Sequence, residues 1–203
     1  MLVYDVEVLR GPDETPGKWG NPEGMGFGTA VVYDTATNRY HLFGPSKQAE
    51  LVDMLSKGYP TVLSFNGLKF DNAVILGNVE AEAQLASPSH WTDIDLLLEA
   101  VNAKFPRAGD SRFKSVNEAA KTVGFCSVFN GSLSLDSICK ATIGRGKTGS
   151  GAFAPELIKA EKWDEVFDYN MEDVHLTYDL WRFWKAFGYM IDGQGNVLKR
   201  KAS

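Results

Sequence analysis

The segment LVYDVEVL, residues 2–9, decides how this chain is read. Apolar residues fall on both of its faces, as in a central, buried strand. Side chains alternate along a strand, so Val3, Asp5, Glu7 and Leu9 share one face and Leu2, Tyr4, Val6 and Val8 the other. Two carboxylates side by side on a buried strand repel each other, and without a cation at least one is driven towards its neutral form. The plain alternative is an edge strand whose acids meet water. The flanking apolar residues argue against it.

Outward from this strand, residues 11–28 (GPDETPGKWGNPEGMGFG) are rich in Gly and Pro and predict a long loop, a length usually tied to function. TAVVYD (29–34) and RYHLF (39–43), joined by TATN, predict a hairpin. Ser46 predicts the cap of a helix reaching about Lys57. TVLSF (61–65) predicts a short buried strand, NGLK a turn, and Phe70 the start of a helix. DIDLLLEAVNAKF (93–105) predicts strand then helix. SVNE (115–118) is a capping box; SLDSICKATIG predicts a short helix, GRGKTGSG a loop, and Pro155 the first turn of another helix. The order is an α/β one: a mixed sheet with helices packed on it, in a single domain over residues 1–203 that ends in a flexible basic tail from 193 to 203.

The longest helix is predicted over Trp163 to Phe187. At about 100° per residue, Asp164, Glu165, Asp168, Glu172, His175, Asp179 and Arg182 gather on one arc. Val166, Val174, Thr177, Leu180 and Trp184 lie on the opposite, core-facing arc. Asp173 falls inside that apolar arc, with Tyr169 one turn earlier. A carboxylate there loses hydration and needs a capping amide, a salt bridge or a metal ion. Asp71, at a helix start after a strand, reads by itself as an ordinary cap.

The composition narrows the class. The 203 residues are 44% hydrophobic, enough for a large core and too many for a disordered chain. No apolar run is long enough to span a membrane. The N-terminus lacks the basic region of a signal peptide, so an intracellular, cytoplasmic location is expected. Cys126 and Cys139 are too few for a disulfide scaffold or a zinc site. His41, His90 and His175 suggest no cluster. A net charge of −5 disfavours bulk binding of polyanions, although clustered acids at a metal site give the same sign. Arg107, Arg112, Lys114, Arg145, Lys147 and the tail Lys199, Arg200 and Lys201 supply local positive charge.

Together, D-x-E on the first strand, N-x-x-x-F-D (66–71) after a later strand and Y-x-x-x-D (169–173) on a C-terminal helix resemble the DEDD superfamily of 3′–5′ exonucleases. The tyrosine matches its DEDDy branch; the histidine branch needs His at 168, where this chain has Asp. FNGLKFD is similar to the second exonuclease motif of family-B DNA polymerase proofreading domains. The stretch from SLDSICKATIG to DYNMEDVHLTYDLW is similar to stand-alone or helicase-linked DnaQ-like nucleases. The resemblance runs from residue 2 to about 187. It implies a ribonuclease H-like fold, antiparallel over the first three strands and then parallel, with flanking helices. With no polymerase domain after these motifs, a fused proofreading polymerase is not expected.

The resemblance also implies a mechanism. Asp5, Glu7, Asp71 and Asp173 would hold two divalent cations, Mg²⁺ or Mn²⁺, which favour oxygen ligands. Such pairs sit roughly 3.5–4 Å apart and clamp an in-line phosphoryl displacement. Asp5 would bridge them, Glu7 and Asp173 would hold the ion that activates water, and Asp71 would act through the one facing the leaving 3′-oxygen. Tyr169 would orient the water. Asn66 and Phe70 resemble positions that shape the terminal-nucleotide pocket, though Phe70 serves equally as a core plug. Lys147, Arg145, Lys18 and Trp19 are candidates for contact with the strand, and Asp93 or Asp95 for support behind the site. The implied partner is the 3′ end of single-stranded DNA or RNA, with a helicase or a replication or repair protein alongside and no membrane. The rivals are a non-cutting binding module of the same fold, a ribonuclease H-like endonuclease, and a phosphate loop at GRGKT (144–148). The last lacks its first glycine, since Ala141 stands there.

Overall fold

The computed structural model describes residues 1–57, 61–77, 92–109, 111–149 and 153–200. Strand β1 (Leu2–Val8) lies at the centre of a five-stranded sheet. On one side are β2 (Phe27–Asp34) and β3 (Arg39–Phe43), and on the other β4 (Thr61–Ser64) and β5 (Thr92–Asp95). β1 runs antiparallel to β2 and parallel to β4; β2 and β3 are antiparallel, β4 and β5 parallel. This is the expected mixed sheet, and the edge-strand alternative for residues 2–9 is excluded. The β1–β2 register shifts between Glu7 and Val8, an irregularity of the kind that re-aims side chains beside functional sites.

The helices are α1 (Pro22–Met25), α2 (Gln48–Lys57), α3 (Asp71–Leu76), α4 (Leu96–Lys104), α5 (Val116–Val123), α6 (Phe125–Val128), α7 (Leu135–Ile143), α8 (Ala154–Lys159) and α9 (Trp163–Phe187). They cover both faces of the sheet, which is why β1 is apolar on both. Leu2, Tyr4 and Val6 pack with Leu51 and Leu55 of α2 and Val74 and Ile75 of α3. Val3, Val31 and Leu63 pack with Leu96 of α4, Ile138 of α7 and Val174, Leu176 and Leu180 of α9. Each fully buried Leu or Val side chain contributes about 1.5–3 kcal/mol of transfer free energy. Asp5 and Glu7 share Val3's face and so point to the α9 side.

Several local expectations change. The 11–28 segment is not one loop: it holds two 3-10 turns and α1, and β2 begins at Phe27. Ser46 sits within a 3-10 turn (Pro45–Lys47) ahead of α2 and does not cap it. Ser115 does cap α5, accepting from the Glu118 N–H, but the Glu118 carboxylate turns to the Lys114 N–H (2.8 Å) rather than closing the box. Residues 193–200, assigned above to a flexible tail, contribute the turn and second strand of a hairpin, β6 (Tyr189–Ile191) and β7 (Val197–Lys199). Met190 and Leu198 of that hairpin join the α9-side core. His90 and Lys201 lie outside the described residues. No helix among the described residues is long and apolar enough to cross a membrane.

Candidate functional site

The three motifs meet at the C-terminal half of β1. One carboxylate oxygen from each of Asp5, Glu7 and Asp173 lies within 4.8 Å of the others. Glu7 and Asp173 are buried and Asp5 half-buried. Asp71, the first residue of α3, stays outside this triad; its Oδ1 accepts the Val6 N–H at 3.0 Å. It nonetheless lines the same cavity, of about 380 Å³, as do Asn66, Phe70, Lys147 and Tyr169. Asp5, Glu7, Asn66, Phe70, Asp71, Lys147, Tyr169 and Asp173 therefore border one cavity, as does Trp19, whereas Arg145, Lys18, Asp93 and Asp95 do not line it.

Asp173 has a partner that the helix alone does not disclose. The Lys147 ammonium donates to Asp173 Oδ2 at 2.5 Å and to the Tyr169 hydroxyl at 3.0 Å. Lys147 comes from the Gly-rich loop between α7 and α8, and that loop is pinned from three directions. The Lys147 N–H donates to Asp136 (2.8 Å). The Thr148 N–H and hydroxyl donate to Glu172 (2.9 and 2.7 Å), and Arg145 pairs with Asp179 (2.6 Å). Gly149 follows where a β-carbon would stand 3.2 Å from the Tyr169 ring, so the loop lies directly against that tyrosine.

The electrostatics are those of an under-neutralised cluster. Burial, then the charges of Asp173, Asp71 and Glu7, pushes Asp5 well above the usual carboxylate range. Burial and Asp173 do the same to Glu7. Burial also raises Asp173, although Lys147 pulls the other way. For Lys147, burial disfavours the charge, but Asp173, Asp5 and Tyr169 outweigh it and raise its pKa. One ammonium is thus shared among several acids. Burial raises Tyr169 above its ordinary value, which keeps its hydroxyl protonated at neutral pH. Asp173 Oδ1 is buried with no hydrogen-bond partner among the described residues. The donors around it are all oxygen, the set that suits a hard divalent cation, and an orphaned carboxylate oxygen fits such an ion.

Asn170 escaped the sequence reading. It is fully buried, its Nδ2 donates to Asp5 Oδ2 at 3.3 Å, and its Oδ1 also lacks a partner. Its place beside Tyr169 on the buried side of α9 was the available signal.

The 66–71 turn is held from behind. Asn66 adopts a left-handed conformation (φ 67°), which Asn tolerates better than most residues. Asp95 fixes it: its carboxylate accepts the N–H groups of Asn66 (2.9 Å) and Leu68 (3.3 Å) while also capping α4 through Leu97 and Leu98. Burial moves Asp95 up to about 6, and burial with Asp95's charge moves Asp93 up to about 7. Asp71 likewise rises to about 7, through burial and then Asp95. Of the two acids considered for support, Asp95 is the one that holds the turn. Phe70 stands by the exposed Trp19, ring centroids 5.9 Å apart. His41 and His175 do not cluster with the acids, while Arg107 and Arg112 are paired with Glu118 and Glu99 away from it.

No protein-family model and no curated protein matches the chain. Among solved structures, it is similar to the family B DNA polymerase from the hyperthermophilic archaeon Pyrobaculum calidifontis, with a TM-score of 0.54 and 15% identity. The match covers 91% of this chain and 24% of the polymerase, so the chain spans about a quarter of that protein. With the 3-2-1-4-5 strand order and helices on both faces, the likeness establishes a ribonuclease H-like fold.

Proposed function

We propose that the chain is a divalent-metal-dependent 3′–5′ exonuclease of the DEDDy, DnaQ-like type, releasing nucleoside 5′-monophosphates from unpaired 3′ ends of DNA or RNA. One observation carries this: Asp5, Glu7 and Asp173, from two distant segments, converge with Tyr169 in a cavity where a buried carboxylate oxygen lacks a partner. Asp5, Glu7 and Asp173 would hold Mg²⁺ or Mn²⁺, with Asp71 reaching a second ion; bound there, the ions would acidify water and offset charge on the phosphate. The water oxygen bonds to phosphorus as the P–O3′ bond breaks. The water gives up a proton and the departing 3′-oxygen takes one.

Tyr169 supplies the hydroxyl that orients the water. Its raised pKa keeps it protonated, as that role requires. Lys147, which pairs with Asp173 here, would be available to a strand phosphate once a divalent cation neutralised the acids. Asn66 and Phe70 shape the place of the terminal nucleotide, and Asn170 steadies Asp5. The Lys147–Asp173 pair also favours a second reading, a module that grips nucleic acid without cutting, because an ammonium already neutralises part of the cluster.

The test is a time course on 3′- and 5′-labelled single-stranded DNA and RNA with Mg²⁺, Mn²⁺ or EDTA, beside Asp5→Ala. The proposal requires a metal-dependent ladder shortening from the 3′ end, absent in the variant, and an intact circular substrate. Cleaved circles would make it an endonuclease. Retained binding with neither polymer cut would favour the non-cutting module.

A further inference from the structure

Lys69 immediately precedes Phe70 in the 66–71 turn. Its ammonium lies 4.3 Å from the centroid of the Phe129 ring and 5.8 Å from that of Phe125. No carboxylate among the described residues pairs with it. A half-buried cation without a counter-ion is costly. The two rings sit 4.6 Å apart at 40°, one at each end of α6. Phe129 is half-buried and lines the acidic cavity with Phe65 and Phe70; Phe125 projects outward, 63% exposed. Aromatic rings therefore extend from the lining of the acidic cavity, through Phe129, to Phe125 in solvent, with the Lys69 ammonium nearest Phe129.

These groups match the repeating chemistry of an unpaired strand, a flat base and a phosphate at each step. Every base has a face that can stack on a phenylalanine ring, so such a platform tolerates any sequence. A paired base keeps its faces inside the duplex. An unpaired ammonium offers the phosphate a charge the acid cluster cannot. We propose that Lys69, Phe125 and Phe129 form a second nucleotide subsite, which takes the base and phosphate next to the terminal nucleotide of a single strand. This rests on the exonuclease reading of the cavity. It adds what that reading lacks, a reason for the site to select unpaired strands of either sugar.

Binding and cleavage separate the two claims. Fluorescence anisotropy with a 5′-labelled hexathymidylate, on the full chain in Ca²⁺, reads the subsite. Phe125→Ala weakens binding about tenfold, the scale of one lost base–aromatic stack. Phe125→Trp restores it, which a merely structural ring would not explain. Lys69→Met lowers the slope of log K against log salt by about 0.7, one phosphate contact on a single strand. Wild-type binding and salt slope in Phe125→Ala and Lys69→Met overturn the subsite, even if Mg²⁺-dependent cleavage by the wild type upholds the nuclease. Loss in both variants supports it, even if the wild type cuts nothing and the nuclease reading falls. A wild type that does not bind the oligomer overturns the subsite and leaves the exposed ring to a protein partner.

Discussion

Asp192, in the turn between β6 and β7, and Asp173, on α9, are both buried, and each meets a lysine ammonium: Lys104 at 2.7 Å and Lys147 at 2.5 Å. Their remaining surroundings differ. Asp192 Oδ1 accepts the N–H groups of Gln194 and Asn196, both at 2.9 Å, and its Oδ2 accepts from Asn196 Nδ2 at 3.0 Å as well as from Lys104. Burial opposes its charge, but Lys104 and the Asn196 donors hold it down at about 2. Asp173 has one oxygen on Lys147, the other without a partner, and two further acids beside it. A carboxylate that only fastens the fold is saturated with donors. Asp173 is left short of them, as the proposed metal site requires.

The largest expected effects follow from that contrast. Asp192→Ala strands Lys104, whose side chain is only 14% exposed, and should cost about 3–5 kcal/mol in urea melts while leaving metal binding in place. Asp173→Asn should do the reverse. It relieves repulsion with Asp5 and Glu7, so apo stability holds or rises, while activity collapses. A large apo destabilisation in Asp173→Asn would make the two pairs equivalent and the contrast wrong. Next in size, Tyr169→Phe should lower turnover on the order of 10²-fold with metal affinity unchanged. Equal loss of both would make Tyr169 structural.

A pH profile sharpens the same comparison. Asp192, depressed to about 2, stabilises the fold above its unfolded value, and that contribution disappears as pH falls towards 2. Asp71 and Asp93, raised to about 7, and Asp95, raised to about 6, hold their protons more tightly when folded. Their contribution is full below the unfolded value and declines as pH rises to about 7. Thermal melts in EDTA should therefore peak at about pH 4–5. Added Mn²⁺ should stabilise more at pH 7 than at pH 5, because it competes with protons for the acids. Asp192→Asn should flatten only the acid limb. The smallest effect is expected of Lys147→Met, a several-fold gain in Mn²⁺ affinity as a competing cation is removed.

Periodicity explains which residues the sequence disclosed. A two-residue period put Asp5 and Glu7 on one face of β1, and a 3.6-residue period put Asp173 among apolar neighbours. These are local relations, so they survive without knowledge of the fold. Lys147 lies on a Gly-rich loop with no period, and its bond to Asp173 spans 26 residues, so only tertiary structure reveals the pair. Asp71 read as a cap because its bond to the Val6 N–H crosses 65 residues. The hairpin at residues 189–199 is hidden in the sequence for a different reason. YMI and VLK flank DGQGN, a sound hairpin signal, but each strand is three residues long and the basic residues beyond drew the assignment.

The contrast between the two pairs turns on whether the Asp5–Glu7–Asp173 cluster binds a divalent cation. A calorimetric titration with Mn²⁺ of the wild type, Asp173→Asn and Asp192→Asn tests it most directly. Saturable binding is expected in the wild type and in Asp192→Asn, with loss of binding in Asp173→Asn. Binding that survives in Asp173→Asn, or is missing from the wild type, would contradict it.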